Sequence, residues 1–128
     1  MPEQQFEPLD YPLAFPADRE FLRHALHTLA AIAPGKSVEV RVVPLAAVQV
    51  IPGVRHTRGT PPNVIEMTAE TWHSLLSGCL TWTQGTASGL ISASGNKADL
   101  TELLPQLQRA LLTERSSNPP HNRIRSIP

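Results

Sequence analysis

The sequence predicts an α+β domain, with helices packed on one mostly antiparallel sheet. Three observations carry this. A helical stripe (Phe21, Leu22, Ala25, Leu26, Leu29, Ile32) precedes a β-branched middle section, where Val38, Val40 and Val42 alternate with Glu39 and Arg41. A second stripe of leucines at 100, 103, 104, 107 and 111 follows it. Helices that flank a run of strands, rather than alternating with them, segregate onto the sheet instead of crossing over between parallel strands.

Each element has a local reason. Prolines 2, 8, 12 and 16 deny a helix to residues 1–16, because each removes an N–H and clashes with the preceding turn. This proline-rich arm is expected to lie extended, pinned by Phe6, Leu9, Tyr11, Leu13 and Phe15. Asp18 offers an N-cap for the first helix, and Pro34-Gly35 stops it. Ser37 to Val43 and Ala46 to Ile51 form a hairpin around Pro44-Leu45. Val64 to Met67 is a third, short strand. Thr68 caps a helix with Glu70 in its first turn, Trp72, Leu75, Leu76 and Cys79 on one face, and Gly78 at its end. Leu80 to Ser88 is a second helical turn closed by Gly89, and Leu90 to Ser94 a small-residue strand before the Gly95-Asn96 turn. The leucine stripe starts at Asp99, where Pro105 imposes a kink or restarts the helix as its first residue. The domain is expected over residues 17–115, with 116–128 a flexible polar tail.

Composition excludes several function classes. Eleven basic residues balance eleven acidic ones, so no global field draws the chain to nucleic acid or an anionic membrane. Aromatics make up only 5%, too few to interleave with a basic surface as single-strand binders require, so no nucleic-acid partner is expected. No apolar run approaches the ~20 residues of a membrane span. The N-terminal residues carry no basic-then-apolar signal pattern. A cytoplasmic protein is the expectation, and the lone Cys79 fits a reducing compartment. The histidines at 24, 27, 56, 73 and 121 lack metal-ligand spacing, so neither metal nor cofactor is expected.

The most polar connection is Arg55-His56-Thr57-Arg58-Gly59-Thr60-Pro61-Pro62-Asn63. No acidic residue lies between Val40 and Ile65, whereas Arg41, Arg55 and Arg58 do. A proline-stiffened, donor-rich loop of this kind can hold a phosphate, carboxylate or similar anion through charge-assisted hydrogen bonds. The competing account is that its arginines pair with Glu39 or Glu66 and brace the loop.

Thr71-Trp72-His73-Ser74-Leu75-Leu76-Ser77-Gly78-Cys79-Leu80-Thr81-Trp82, continuing through Ala87-Ser88-Gly89-Leu90-Ile91-Ser92-Ala93-Ser94-Gly95 to Ala98-Asp99-Leu100, resembles the second half of sterol carrier protein domains. The loop at 55–63 resembles the hallmark of a small bacterial orthologue group found mainly in actinobacteria. The resemblance covers roughly residues 18–113. It implies helices on a five-stranded sheet enclosing an apolar tunnel for sterols, fatty acids or acyl-CoA esters. Four strands are legible here, so the sheet is expected to have four or five; a fifth would come from the N-terminal arm or from a split of Asn63–Met67. The family's apolar C-terminal lid has no counterpart in the polar end of this chain.

The resulting expectation is a non-catalytic carrier of a lipid, fatty acyl or sterol. Arg55, His56, Arg58 and Asn63 would sit at the rim, and Trp72, Leu75, Leu76 and Trp82 would line the cavity. Ordinary core packing is the alternative for the apolar set, and Cys79 near a helix end reads as a small hydrophobe. The alternative function is a protein-interaction or accessory domain, as a homodimer or docked on a protein partner. An enzyme with His56 as acid or base beside Arg58 would need an orienting partner and a pocket; neither is evident, and no catalytic residue is expected.

Overall fold

A computed structural model describes Leu9, residues 11–53 and residues 63–117. Arg55, His56 and Arg58, with the rest of the loop at 54–62, lie outside the described residues, as do Phe6 in the arm and residues 118–128 of the tail. The elements are α1 (Arg19–Ile32), β1 (Val38–Val43), β2 (Ala46–Val50), β3 (Asn63–Thr68), α2 (Ala69–Ser77), α3 (Trp82–Ser88), β4 (Ser92–Ser94) and α4 (Leu103–Ser117).

Capping fixes the helices where the sequence places them. The Asp18 carboxylate accepts from Phe21 N at 3.3 Å, and Thr68 Oγ1 accepts from Thr71 N at 3.2 Å. Thr81 opens α3 with a reciprocal capping box, its hydroxyl oxygen accepting from Gln84 N and its own N–H donating to Gln84 Oε1. Leu22, Ala25, Leu26 and Leu29 of α1 and Trp72, Leu75 and Leu76 of α2 are buried against the sheet.

The sheet has the order β2-β1-β3-β4. β1 runs antiparallel to β2 (Val38 opposite Val50, Val40 opposite Val48), and β3 antiparallel to β4. The central pair, β1 with β3, is parallel, with Val38 opposite Asn63 and Val42 opposite Met67. The sheet is therefore mixed, with two of its three pairings antiparallel. Val38, Val40, Val42, Val48, Val50, Ile65 and Met67 face the helices. On the other face Arg41 Nε lies 3.3 Å from Glu39 and its Nη1 3.7 Å from Glu66. Those two carboxylates, which the competing account pairs with the loop arginines, both lie beside an arginine of β1.

No fifth strand occurs among the described residues. The arm docks on helices instead: Leu13 N donates to Ser77 O at 2.8 Å, His73 Nε2 is 2.9 Å from Phe15 O, and Phe15 stacks on Phe21 at 5.4 Å.

Four local expectations are corrected. Pro105 is the third residue of α4, not its first, and imposes no restart; the first-turn N–H groups lack intrahelical acceptors anyway, so proline costs little there. α4 also continues through Ser116 and Ser117, past the expected start of the tail. β4 is confined to Ser92–Ser94 because Ile91 turns inward, its N–H bonding Gly85 O at 3.0 Å, while Leu90 stays 52% exposed. Cys79 is exposed rather than packed on the apolar face of α2, because the left-handed turn at Gly78 (φ 84°) rotates the chain away one residue earlier.

No helix among the described residues is long and apolar enough to cross a membrane. None of their His, Cys, Asp and Glu side chains gather in threes as a metal site would require. His24, which shares a helix face with His27, instead meets Glu114 of α4 at 2.7 Å.

Candidate ligand-binding site

Two clefts flank the first turn of α4, with Thr101 on the wall of both. The larger, of about 660 Å3, lies between the end of α1, the end of β2 and the start of α4. Ile32, Ala33, Pro34, Ile51, Pro52 and Leu103 give it an apolar wall, and Asp99, Glu102 and Gln106 a polar edge. The volume falls in the roughly 300–1,000 Å3 range of small-molecule sites.

Ile51 holds that wall in an unusual conformation, with φ at 69°. A β-branched side chain is costly there, and such residues persist only when their surroundings over-determine them, as at ligand clamps. Three hydrogen bonds do so. Ile51 N donates to Ala33 O at 2.7 Å, Ser37 N donates to Ile51 O at 3.1 Å, and Ser37 Oγ donates to the same oxygen at 2.7 Å.

The loop carrying Arg55, His56 and Arg58 leaves the described chain after Gly53, next to this wall, and re-enters at Asn63. Asn63 is 3% exposed. Its Nδ2 donates to Ser37 O at 2.8 Å and its Oδ1 accepts from Lys97 N at 2.9 Å. The amide thus ties the starts of β1 and β3 to the segment after β4. Both ends of the amide being occupied, Asn63 fixes where the loop ends. Asn63→Ala would leave the buried Ser37 carbonyl and the part-buried Lys97 N–H without their partner, at about 2 kcal/mol. The expected result is a fall in Tm of roughly 6–10 °C; an unchanged melting curve would contradict this role.

The smaller cleft, of about 270 Å3, lies between α2, the start of α3 and α4. Leu75, Leu80, Trp82, Leu104 and Pro105 line it, with Tyr11 and Gln108. The apolar set expected around one cavity is therefore divided. Leu75 and Trp82 border this cleft, whereas Trp72 and Leu76 are wholly buried and line neither. Trp72 Nε1 donates to Leu22 O at 3.0 Å, joining α2 to α1.

Sequence reasoning missed Ile51, Tyr11 and Gln108. Gln108 carried a signal: it lies four residues after Leu104 within the leucine stripe, so a polar side chain there faces inward. It is 4% exposed. Its Nε2 donates to Leu75 O and Leu76 O, closing the end of α2, and its Oε1 accepts from Tyr11 Oη at 2.9 Å. Ile51 carried none, since its strain comes from partners in α1 and at the start of β1.

Residues 17–106 match the family described as bacterial SCP ortholog. No curated protein matches the chain.

Proposed function

Because this chain belongs to the bacterial SCP ortholog family, whose sterol-carrier domain suggests a lipid-carrier role, we propose that it binds a single-chain or sterol-like amphiphile without catalysis. The apolar part occupies the larger cleft and an acidic head group meets Arg55, His56 and Arg58. The observation that carries this reading is the adjacency of cleft and loop: Pro52 lines the cleft, and the cationic segment begins two residues beyond Gly53. Asn63 serves as a positioning residue for that segment, and the strained Ile51 as part of the wall.

The test compares laurate with dodecanol, which share a tail and differ in charge. Wild-type protein is expected to bind both, and to carry an amphiphile through purification that native mass spectrometry detects. The double variant Arg55→Glu, Arg58→Glu should weaken laurate at least about tenfold, the loss of charge-assisted bonds, while dodecanol changes little. Absence of a co-purifying amphiphile together with no laurate binding would overturn the proposal.

The completeness of core packing favours a second reading, in which the domain docks on a protein partner or a second copy. Trp72, Leu75 and Leu76 are at most 1% exposed. That reading expects no bound amphiphile, and a dimer or heterocomplex in sedimentation experiments.

A further inference from the structure

We propose that the smaller cleft is a second binding site, independent of the acyl-carrier reading, for a compact neutral apolar molecule bearing an acceptor oxygen such as a ketone, ether or hydroxyl, which bonds the indole N–H of Trp82. The cleft lies across the first turn of α4 from the larger one. No lining residue carries a charge: the wall is Leu75, Leu80, Trp82, Leu104 and Pro105, with Tyr11, Gly78, Gln108, Thr81 and Thr101 completing it. A carboxylate or ammonium group would find no partner there and would carry its full desolvation cost.

The specific group is Trp82. It is 8% exposed, and no described residue accepts from its indole N–H. A buried tryptophan ordinarily finds such an acceptor, as Trp72 does at Leu22 O. Among the described residues no fully buried side-chain donor lacks a partner, so the Trp82 N–H retains contact with accessible space, and Trp82 is a lining residue of the cleft. The other polar side chains around it each hold a partner within the fold. Gln108 Nε2 donates to two α2 carbonyls, Tyr11 donates to Gln108, Thr101 donates to Asp99, and Thr81 Oγ1 caps α3. The volume is nearly twice that of the ~150 Å3 apolar cavity that takes benzene, which suits a bicyclic skeleton of similar thickness.

Two tryptophans give two indole N–H signals in a 15N-labelled full-length chain, assigned with Trp82→Phe. The probes are 1-indanone, which offers a ketone, and indane, which has the same ring frame without it. The Trp82 signal is expected to shift saturably with 1-indanone, while the Trp72 signal stays fixed. Indane should bind about three- to tenfold more weakly, the worth of one neutral hydrogen bond. In Trp82→Phe, followed through the Leu75 and Leu104 methyl signals, 1-indanone should fall to the affinity of indane. Laurate binding should be unchanged in that variant, which separates this site from the larger cleft. No saturable shift at Trp82, equal affinity for the two probes in the wild type, or an equal shift of both indole signals would each overturn the proposal.

Discussion

Trp72→Ala is expected to cost about 4 kcal/mol and to leave a domain of ordinary stability close to unfolding, given that such domains hold only about 5–15 kcal/mol in total. The side chain has no exposed surface and sits where α1, α2 and the sheet converge. Truncation removes a large apolar contact and opens a cavity that close-packed neighbours cannot fill. It also removes the bond from Nε1 to Leu22 O that sets α2 against α1. Trp72→Phe keeps most of the ring and loses the N–H, so its cost should be less than half as large. Urea unfolding of the two variants separates packing from hydrogen bonding. A midpoint for Trp72→Ala close to wild type would contradict the core position described here.

Gly35→Ala should cost about 3 kcal/mol, although it adds one methyl group. Gly35 has φ at 153° and a Cβ there would lie 2.2 Å from both C and O of Ile51 and 2.3 Å from Pro52 N. All three are backbone atoms, so no rotamer change relieves the overlap. The Ile51 carbonyl cannot simply yield, because Ser37 holds it through both its N–H and its hydroxyl. The wall of the larger cleft must therefore open. A Tm lowered by roughly 10 °C or more, with weakened laurate binding, is the expected pair of results. An unaltered melting curve would mean that Gly35 and Ile51 do not approach each other as described.

Elements whose causes are local were legible in the sequence. Asp18 and Thr68 cap the helices expected of them, and Val38, Val40 and Val42 line the core face through the period of two. What escaped was set at a distance. The parallel pairing of β1 with β3 depends on how the chain returns to the sheet after β2, which no local pattern encodes. The sequence leaves Pro105 as a kink or as the head of its helix, whereas Leu100 O, accepting from both Leu103 N and Leu104 N, starts the helix earlier. In the site, Trp72 and Trp82 look alike in the sequence, since each follows a threonine in a helical segment. Only tertiary packing seals Trp72 against α1 and leaves Trp82 beside a cleft. The Arg41 pairing with Glu39 and Glu66 also escaped, because register places those three side chains together on the outer face of the sheet.

The parallel central pair has a further consequence for the connection between β2 and β3. Those strands are separated only by β1, so their ends stand two strand spacings apart, about 10 Å. Three or four residues at up to ~3.5 Å each would bridge that gap. The chain spends residues 51 to 62 on it, twelve in all between Val50 and Asn63. Lengthening a connection is cheap, at roughly 0.6 kcal/mol per doubling, and Asn63 refastens the chain whatever precedes it. The span itself therefore needs only about a third of those residues, and Asn63 fixes where the chain rejoins the sheet whatever the length of the connection before it.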